Sequence, residues 1–380
     1  MKPQFLKLLL GLTLVLLISN STLAQRKTKF ERLMDWGYNI IEGDSAKPRK
    51  SVLVLLPIWG VSPETGWQLG LSSGYLLKFS HDATTRPSII RLNWQITEKK
   101  QFSIRPSVDL FLKGNKYNIK GQFVYNKFNE NFWGIGNQTQ AEDKEQNKFQ
   151  QYKLNFRFLK QFLKGVYIGP QIQYEKLFDL QLPNNSMFSN KGIAGLDGFE
   201  TFGLGMVCVY DNRDHVFYTK KGAYIELSSI WNNSSLAGQY NQTNYFLDFR
   251  KFKTLWKENV LAVQAVGLVN IGTTPYRQLG TIGNDVFMRG YYNGRFRDQH
   301  MFATQIELRK TVWGPFGMVF FGGAGNVGNN AEDLFTSIKP NYGLGIRGVV
   351  VRKEHINFRI DMGFGSKGIK GLYLTMAEAF

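Results

Sequence analysis

From Ser51 onward the chain runs in segments of about ten residues in which apolar and polar side chains alternate, each ending in a break rich in Gly, Asn, Asp or Lys. Alternation is a period of two, the spacing at which successive side chains of a β-strand point to opposite faces. His355 to Phe364 is the clearest case: Ile356, Phe358, Ile360, Met362 and Phe364 share one face, and His355, Asn357, Arg359, Asp361 and Gly363 the other. Tyr152 to Phe158, Phe102 to Leu112 and Phe302 to Arg309 repeat the pattern. Each strand therefore needs an apolar medium on one side and water on the other. A soluble sandwich and a membrane barrel both provide this, and alternation is the same in the two.

The N-terminus narrows the choice. Lys2 and Lys7 precede an apolar run from Leu8 to Ile18, and a small-residue stretch follows, with Thr22 and Ala24 ahead of Gln25. This is the layout of a secretory signal peptide over 1–24. The apolar run of 11 residues is too short to cross roughly 30 Å of hydrocarbon as a helix. No later stretch approaches the length of a membrane helix, and Cys208, the sole cysteine, excludes an intrachain disulfide and thiol-rich metal sites.

Counting strands decides for the barrel. Sixteen candidates centre near Leu55, Gly74, Asn93, Val108, Phe123, Asn155, Gln171, Gly205, Leu227, Leu247, Gln264, Ile306, Phe321, Ile346, Ile360 and Met376. The number is even, as single-chain bacterial barrels require. Breaks after odd-numbered strands are mostly long (Asn129 to Lys148, Asp179 to Glu200, Ile271 to His300, Val327 to Pro340), and those after even-numbered strands mostly shorter. The expected fold is all-β: a 16-stranded antiparallel transmembrane barrel over 51–380 in a Gram-negative outer membrane, with both termini periplasmic and a short basic segment over 25–50. The terminal Phe380 after an alternating last strand resembles the signal by which the assembly machinery receives such barrels.

The formal charge is +18. In an exported chain the natural counterpart is outer-membrane lipid phosphate and lipopolysaccharide, and no nucleic acid is expected. His81, His215, His300 and His355 lie far apart, with no metal-ligand spacing. A pairing of His355 with Ser366 lacks a carboxylate or oxyanion donor at a useful spacing. No catalytic residue, cofactor or metal is expected.

Asn284 to Arg297, NDVFMRGYYNGRFR, is the strongest local signal, and it falls in the long break between the eleventh and twelfth strands. Arg289, Gly290 and Tyr291 within it resemble the Arg-Gly-aromatic motif in the sixth extracellular loop of the BamA and TamA superfamily, the bacterial surface antigen family. Asp211 to Asp214 with Lys221 and Gly222, Ile306 to Arg309 with Gly314 and Pro315, Phe320 to Val327, Tyr342 to Arg347 and Arg359 to Phe364 resemble further stretches of the family in order and spacing. Before Thr201 the likeness thins to Pro57–Gly66 and Gly134–Asn137.

The resemblance implies that the sixth loop folds into the lumen. A guanidinium there, with its five donors, needs a carboxylate on the wall. The family often has an acid where Gly322 and Gly323 stand, so Asp361 is the expected partner of Arg289 and Glu307 the second choice, both lumen-facing by alternation. It also implies a role in assembly or translocation of outer-membrane or surface proteins. Residues 25–50 are too few for the periplasmic POTRA repeats of family members that handle clients, so a lipoprotein or periplasmic partner would deliver them. The alternative is a plugged channel or scaffold barrel for a lipoprotein or small solute, without insertase activity.

Overall fold

The computed structural model describes residues 51–380 except 78, 80–84, 87, 217 and 352–355. The expected signal peptide and basic segment therefore lie outside the described residues. The strands are β1 (Ser51–Ser62), β2 (Gly66–Leu77), β3 (Ser88–Thr97), β4 (Phe102–Phe111), β5 (Tyr117–Phe132) and β6 (Glu145–Leu163). Then come β7 (Val166–Gln181), β8 (Phe199–Asp211), β9 (Gly222–Asn232), β10 (Gln242–Thr254) and β11 (Val260–Gly272). The short pair β12 (Gly280–Ile282) and β13 (Phe296–Asp298) precedes β14 (His300–Trp313), β15 (Phe316–Gly328), β16 (Lys339–Val351), β17 (Ile356–Gly365) and β18 (Lys370–Met376).

Without β12 and β13, which pair only with each other, the strands form one sheet of sixteen in chain order. Among the described residues every pairing in it is antiparallel, for example Leu247 opposite Leu227 and Gly267 opposite Leu247. The sheet curls until β1 meets β18. All sixteen strand centres expected from alternation fall inside these strands. Among the described residues, no helix is long and apolar enough to cross a membrane.

The two faces have opposite chemistry. On β10, Tyr245 and Leu247 are exposed on the outside, while Asp248 and Phe252 are buried on the inside. Aromatic stacks such as Phe123 on Tyr152, with ring centroids 6.0 Å apart, tie neighbouring strands on the outer face. Amides tie them on the inner face: Asn232 donates to Asn244 at 3.1 Å, and Asn244 to Asn270 at 2.5 Å. An outer surface of exposed Leu, Ile and aromatics is stable only in hydrocarbon, since water would leave it uncovered.

The structure departs from the sequence reading in three places. β5 and β6 run 16 and 19 residues, so they extend into what alternation assigned to a loop. The long break 273–299 contains the β12–β13 hairpin, whose three-residue strands are too short to show a period. The last strand stops at Met376 instead of continuing to Phe380. Ala377 has φ +66°, which turns the chain out of the sheet, and its N–H donates to the Asn357 carbonyl at 2.7 Å.

The closing seam is thin. Among the described residues, no ladder joins β1 to β18. They nevertheless approach closely: a Cβ on Gly60 would lie 2.3 Å from the Leu374 carbonyl oxygen, so only glycine fits. Trp59 reaches past the short β18 to stack on Phe358 of β17, with centroids 5.1 Å apart.

The inside–outside assignment predicts that Ile306→Arg, on the exposed face of β14, costs roughly 2–4 kcal/mol of folding free energy in vesicles. Denaturant titration of folding into vesicles measures this. A cost near zero would contradict an outward, lipid-facing Ile306.

Candidate functional site

The site is built by the chain between β11 and β14. β12 and β13 form its stem, with Gly280 opposite Asp298, and residues 283–295 form its tip. Asn284 shapes the turn into the tip, its side-chain oxygen accepting from the backbone N–H groups of Val286 at 2.7 Å and Phe287 at 2.8 Å. Met288 takes φ +53° and is fully buried. That turn delivers Arg289 to the wall.

Arg289 has no exposed surface, and neither have Glu307 and Asp361. One terminal nitrogen donates to Asp361 Oδ2 at 2.6 Å, and the other donates to Glu307. The structure thus brings Arg289 against both of the carboxylates alternation had placed on the lumen wall. The guanidinium also lies over the Phe321 ring, 3.6 Å from its centroid. Phe321 precedes Gly322 and Gly323, so this strand offers a ring face where it has no acid. Cation–π contact of this kind gains strength when water is excluded.

The next two motif residues are held as tightly. Gly290 adopts φ +113°, and a Cβ on it would lie 2.9 Å from the Phe364 backbone; Gly363 meets the Arg289 backbone equally closely. Loop and wall therefore touch backbone to backbone. The Gly290 N–H donates to the Tyr373 hydroxyl at 3.0 Å, that hydroxyl donates to the Tyr291 carbonyl at 3.1 Å, and Asn341 Nδ2 donates to the Arg289 carbonyl at 3.0 Å. The buried Tyr291 hydroxyl lies 2.8 Å from the Pro340 carbonyl and 2.9 Å from Ser366 Oγ, and accepts from the Ser366 N–H at 2.8 Å. Ser366 is a loop clamp here.

Further charges extend the cluster. Arg309 donates to Glu307 at 2.9 Å, Arg347 to Asp361 at 2.5 Å, and Arg359 to Asp361 at 3.3 Å and to Asp285 at 2.8 Å. Arg347 also reaches Glu378 at 2.8 Å. Four guanidiniums thus face three buried carboxylates, Glu307, Asp361 and Glu378, and a fourth, Asp285, that is partly exposed. Buried ions need such partners, because an uncompensated one costs several kcal/mol. A second anchor holds the stem: Glu130 accepts from Arg277 at 2.5 Å and also from Arg297. Gly136 donates to the Arg297 carbonyl at 2.8 Å, which ties the stretch Gly134–Asn137 to the loop.

Phe380 is not on the outer face of the last strand. After the turn at Ala377, Glu378 bonds Arg347 and Asn357, and the Phe380 carbonyl accepts from Arg309 at 2.8 Å. Its ring is buried among Phe252, Ala262 and Ala379 on the lumen side. Arg309 and Arg347 thus bond both the tail and the wall carboxylates that hold Arg289.

Sequence reasoning missed Phe321, Arg347, Tyr373, Asn341, Glu378 and Glu130. Alternation could have placed Arg347 and Tyr373 on the lumen face; nothing local marks Glu130, which lies 167 residues from Arg297. Among the described residues, no group of His, Cys, Asp and Glu is arranged to hold a metal. Elsewhere on the lumen wall, Lys153 meets Glu175 at 3.4 Å and Arg157 meets Glu226 at 2.9 Å.

A nearly closed 16-stranded barrel whose lumen is entered by an arginine-anchored loop is an outer-membrane type of architecture. The fold is similar to that of BamA from Haemophilus ducreyi lacking POTRA domains 1–3, at TM-score 0.57 and 13% identity, over 87% of this chain and 70% of that one. It is likewise similar to CdiB from Acinetobacter baumannii, at TM-score 0.54 and 11% identity, over 87% of this chain and 60% of CdiB. By sequence, no family model and no curated protein matches the chain.

The buried cluster predicts that Arg289→Met destabilises the docked loop by about 3–5 kcal/mol. Trypsin should then cut at Arg295 and Arg297 while the barrel keeps its heat-modifiable mobility in gels. Unchanged trypsin resistance would refute the anchor.

Proposed function

We propose that this barrel assists the assembly or translocation of outer-membrane or surface proteins, working with separate partner proteins and without a catalytic step of its own. The observation that carries this reading is the seam: β1 and β18 touch at Gly60 and Leu374 without a ladder between them. A strand pair with few hydrogen bonds is the one place where the sheet can part sideways and let a polypeptide strand exchange with the wall. The anchored loop supports it, because a lumen braced by the Arg289 cluster keeps its shape while the seam opens. In this reading both ends of the barrel face the periplasm, where a lipoprotein or soluble partner would present the client.

The second reading, a plugged channel or scaffold barrel, rests on a cavity. About 830 Å³ remains open between the walls of β1 to β6 and the loop tip at Asn284, Asp285 and Asn293, and amides such as Gln95, Gln122, Asn126 and Asn155 line it. A solute path could run there.

One experiment separates the two. Vesicles containing the purified barrel are given an unfolded client barrel, and its folding is followed by heat-modifiable mobility beside conductance across a planar bilayer. The assembly reading predicts folding several-fold faster than in empty vesicles, and capture of the client by a photocrosslinker replacing Trp59. No acceleration together with steady single-channel conductance would overturn it in favour of the channel.

A further inference from the structure

The two rims differ in charge. Connections that follow even-numbered barrel strands lie at the same rim as both ends of the barrel. In sequence, each of the seven, with the strand ends beside it, has more Lys and Arg than Asp and Glu. Lys113 and Lys116 belong to one, Lys160 and Lys164 to the next, and Lys251, Lys253 and Lys257 to another. The eight loops of the opposite rim roughly balance.

Side-chain direction shows what this charge faces. On β10 the outward residues run Tyr245, Leu247, Phe249 and then Lys251 and Lys253. On β6 they run Tyr152, Leu154, Phe156, Phe158 and then Lys160; on β14, Ile306, Leu308 and then Lys310. These four lysines are exposed, and none makes an ion pair among the described residues. They point neither into the lumen nor toward the barrel axis. An outward run that turns from hydrocarbon side chains to lysine marks the depth where acyl chains give way to headgroups.

Apolar side chains stand beside them. Phe162, Leu163, Trp256, Val312 and Trp313 are all more than half exposed at the turns of the same rim, and Trp313 stacks on Phe316 with centroids 6.1 Å apart. An acidic soluble protein approaching along the barrel axis would leave these side chains in water and meet few of the outward lysines. A bilayer surface covers both.

We propose that this rim is a docking surface for anionic phospholipid headgroups, with Lys160, Lys251, Lys253 and Lys310 as phosphate contacts and the exposed aromatic and aliphatic tips as interfacial anchors. Each lysine near a negative membrane surface adds modestly to attraction, and the sum weakens with salt. The rim then seats the barrel at a fixed depth and surrounds its seam with acidic lipid.

The test uses the folded full chain in nanodiscs of phosphatidylcholine and phosphatidylglycerol in equal parts. After mild extraction, native mass spectrometry counts the lipids that stay bound. The expected result is retention of phosphatidylglycerol over phosphatidylcholine, reduced about tenfold in the combined variant K160Q/K251Q/K253Q/K310Q and unchanged in K127Q/K148Q, which alters the other rim. Should the combined variant fail to fold, raising the salt concentration on the wild type gives the second reading: the preference must fall. Equal loss in both variants, no loss in either, or a salt-independent preference would overturn the proposal. So would rim-dependent retention of lipopolysaccharide in preference to phosphatidylglycerol.

Discussion

The interior depends on a guanidinium removed from water. Arg289 sits at the tip of a long loop with no exposed surface, between Glu307 on β14 and Asp361 on β17, over the ring of Phe321 on β15. A charge so buried is tolerable only if its partners stay in place, because losing one leaves an ion without solvent. The arrangement therefore fixes three wall strands relative to one another through a residue that belongs to none of them. Gly290 makes it possible, since any side chain there would collide with the backbone of Phe364. Tyr373 completes the clamp from β18, the strand that borders the seam.

The C-terminal tail is bound to the same cluster. Glu378 and the Phe380 carbonyl take donors from Arg347 and Arg309, which also bond Asp361 and Glu307. Loop tip and tail are thus successive links in one chain of ion pairs, and the tail's departure from the sheet at Ala377 is what leaves β18 at seven residues. A short last strand has little to offer β1, so the rigid interior and the weak seam have a common origin. The assembly role proposed above rests on this combination: a barrel braced within and poorly closed at one edge.

Most of the fold was legible because every strand faces two solvents, and that requirement writes itself into the sequence as alternation. The same parity put Glu307 and Asp361 on the lumen side; that Arg289 would seek a carboxylate there came from the family resemblance, which gave Asp361 as first choice and Glu307 as second. Parity does not choose between them, and here the guanidinium reaches both. What could not be read depends on contacts between distant residues or on single backbone angles. Alternation carried through Phe380 would place its ring on the outer face; one positive φ at Ala377, together with two arginines on other strands, takes it into the lumen. Glu130, which secures Arg277 and Arg297, looks like any other residue of a polar strand end. The β12–β13 hairpin is too short for periodicity to register.

Hydrogen exchange at the backbone amides of residues 284–297 in the folded barrel tests the anchored loop most directly. If the buried cluster holds the loop, these amides exchange slowly in the wild type. In Asp361→Asn they should exchange at least a hundredfold faster, while the amides of β9 to β11 keep their protection. Exchange at the same rate in both proteins would contradict the claim that the Arg289 cluster holds the interior together.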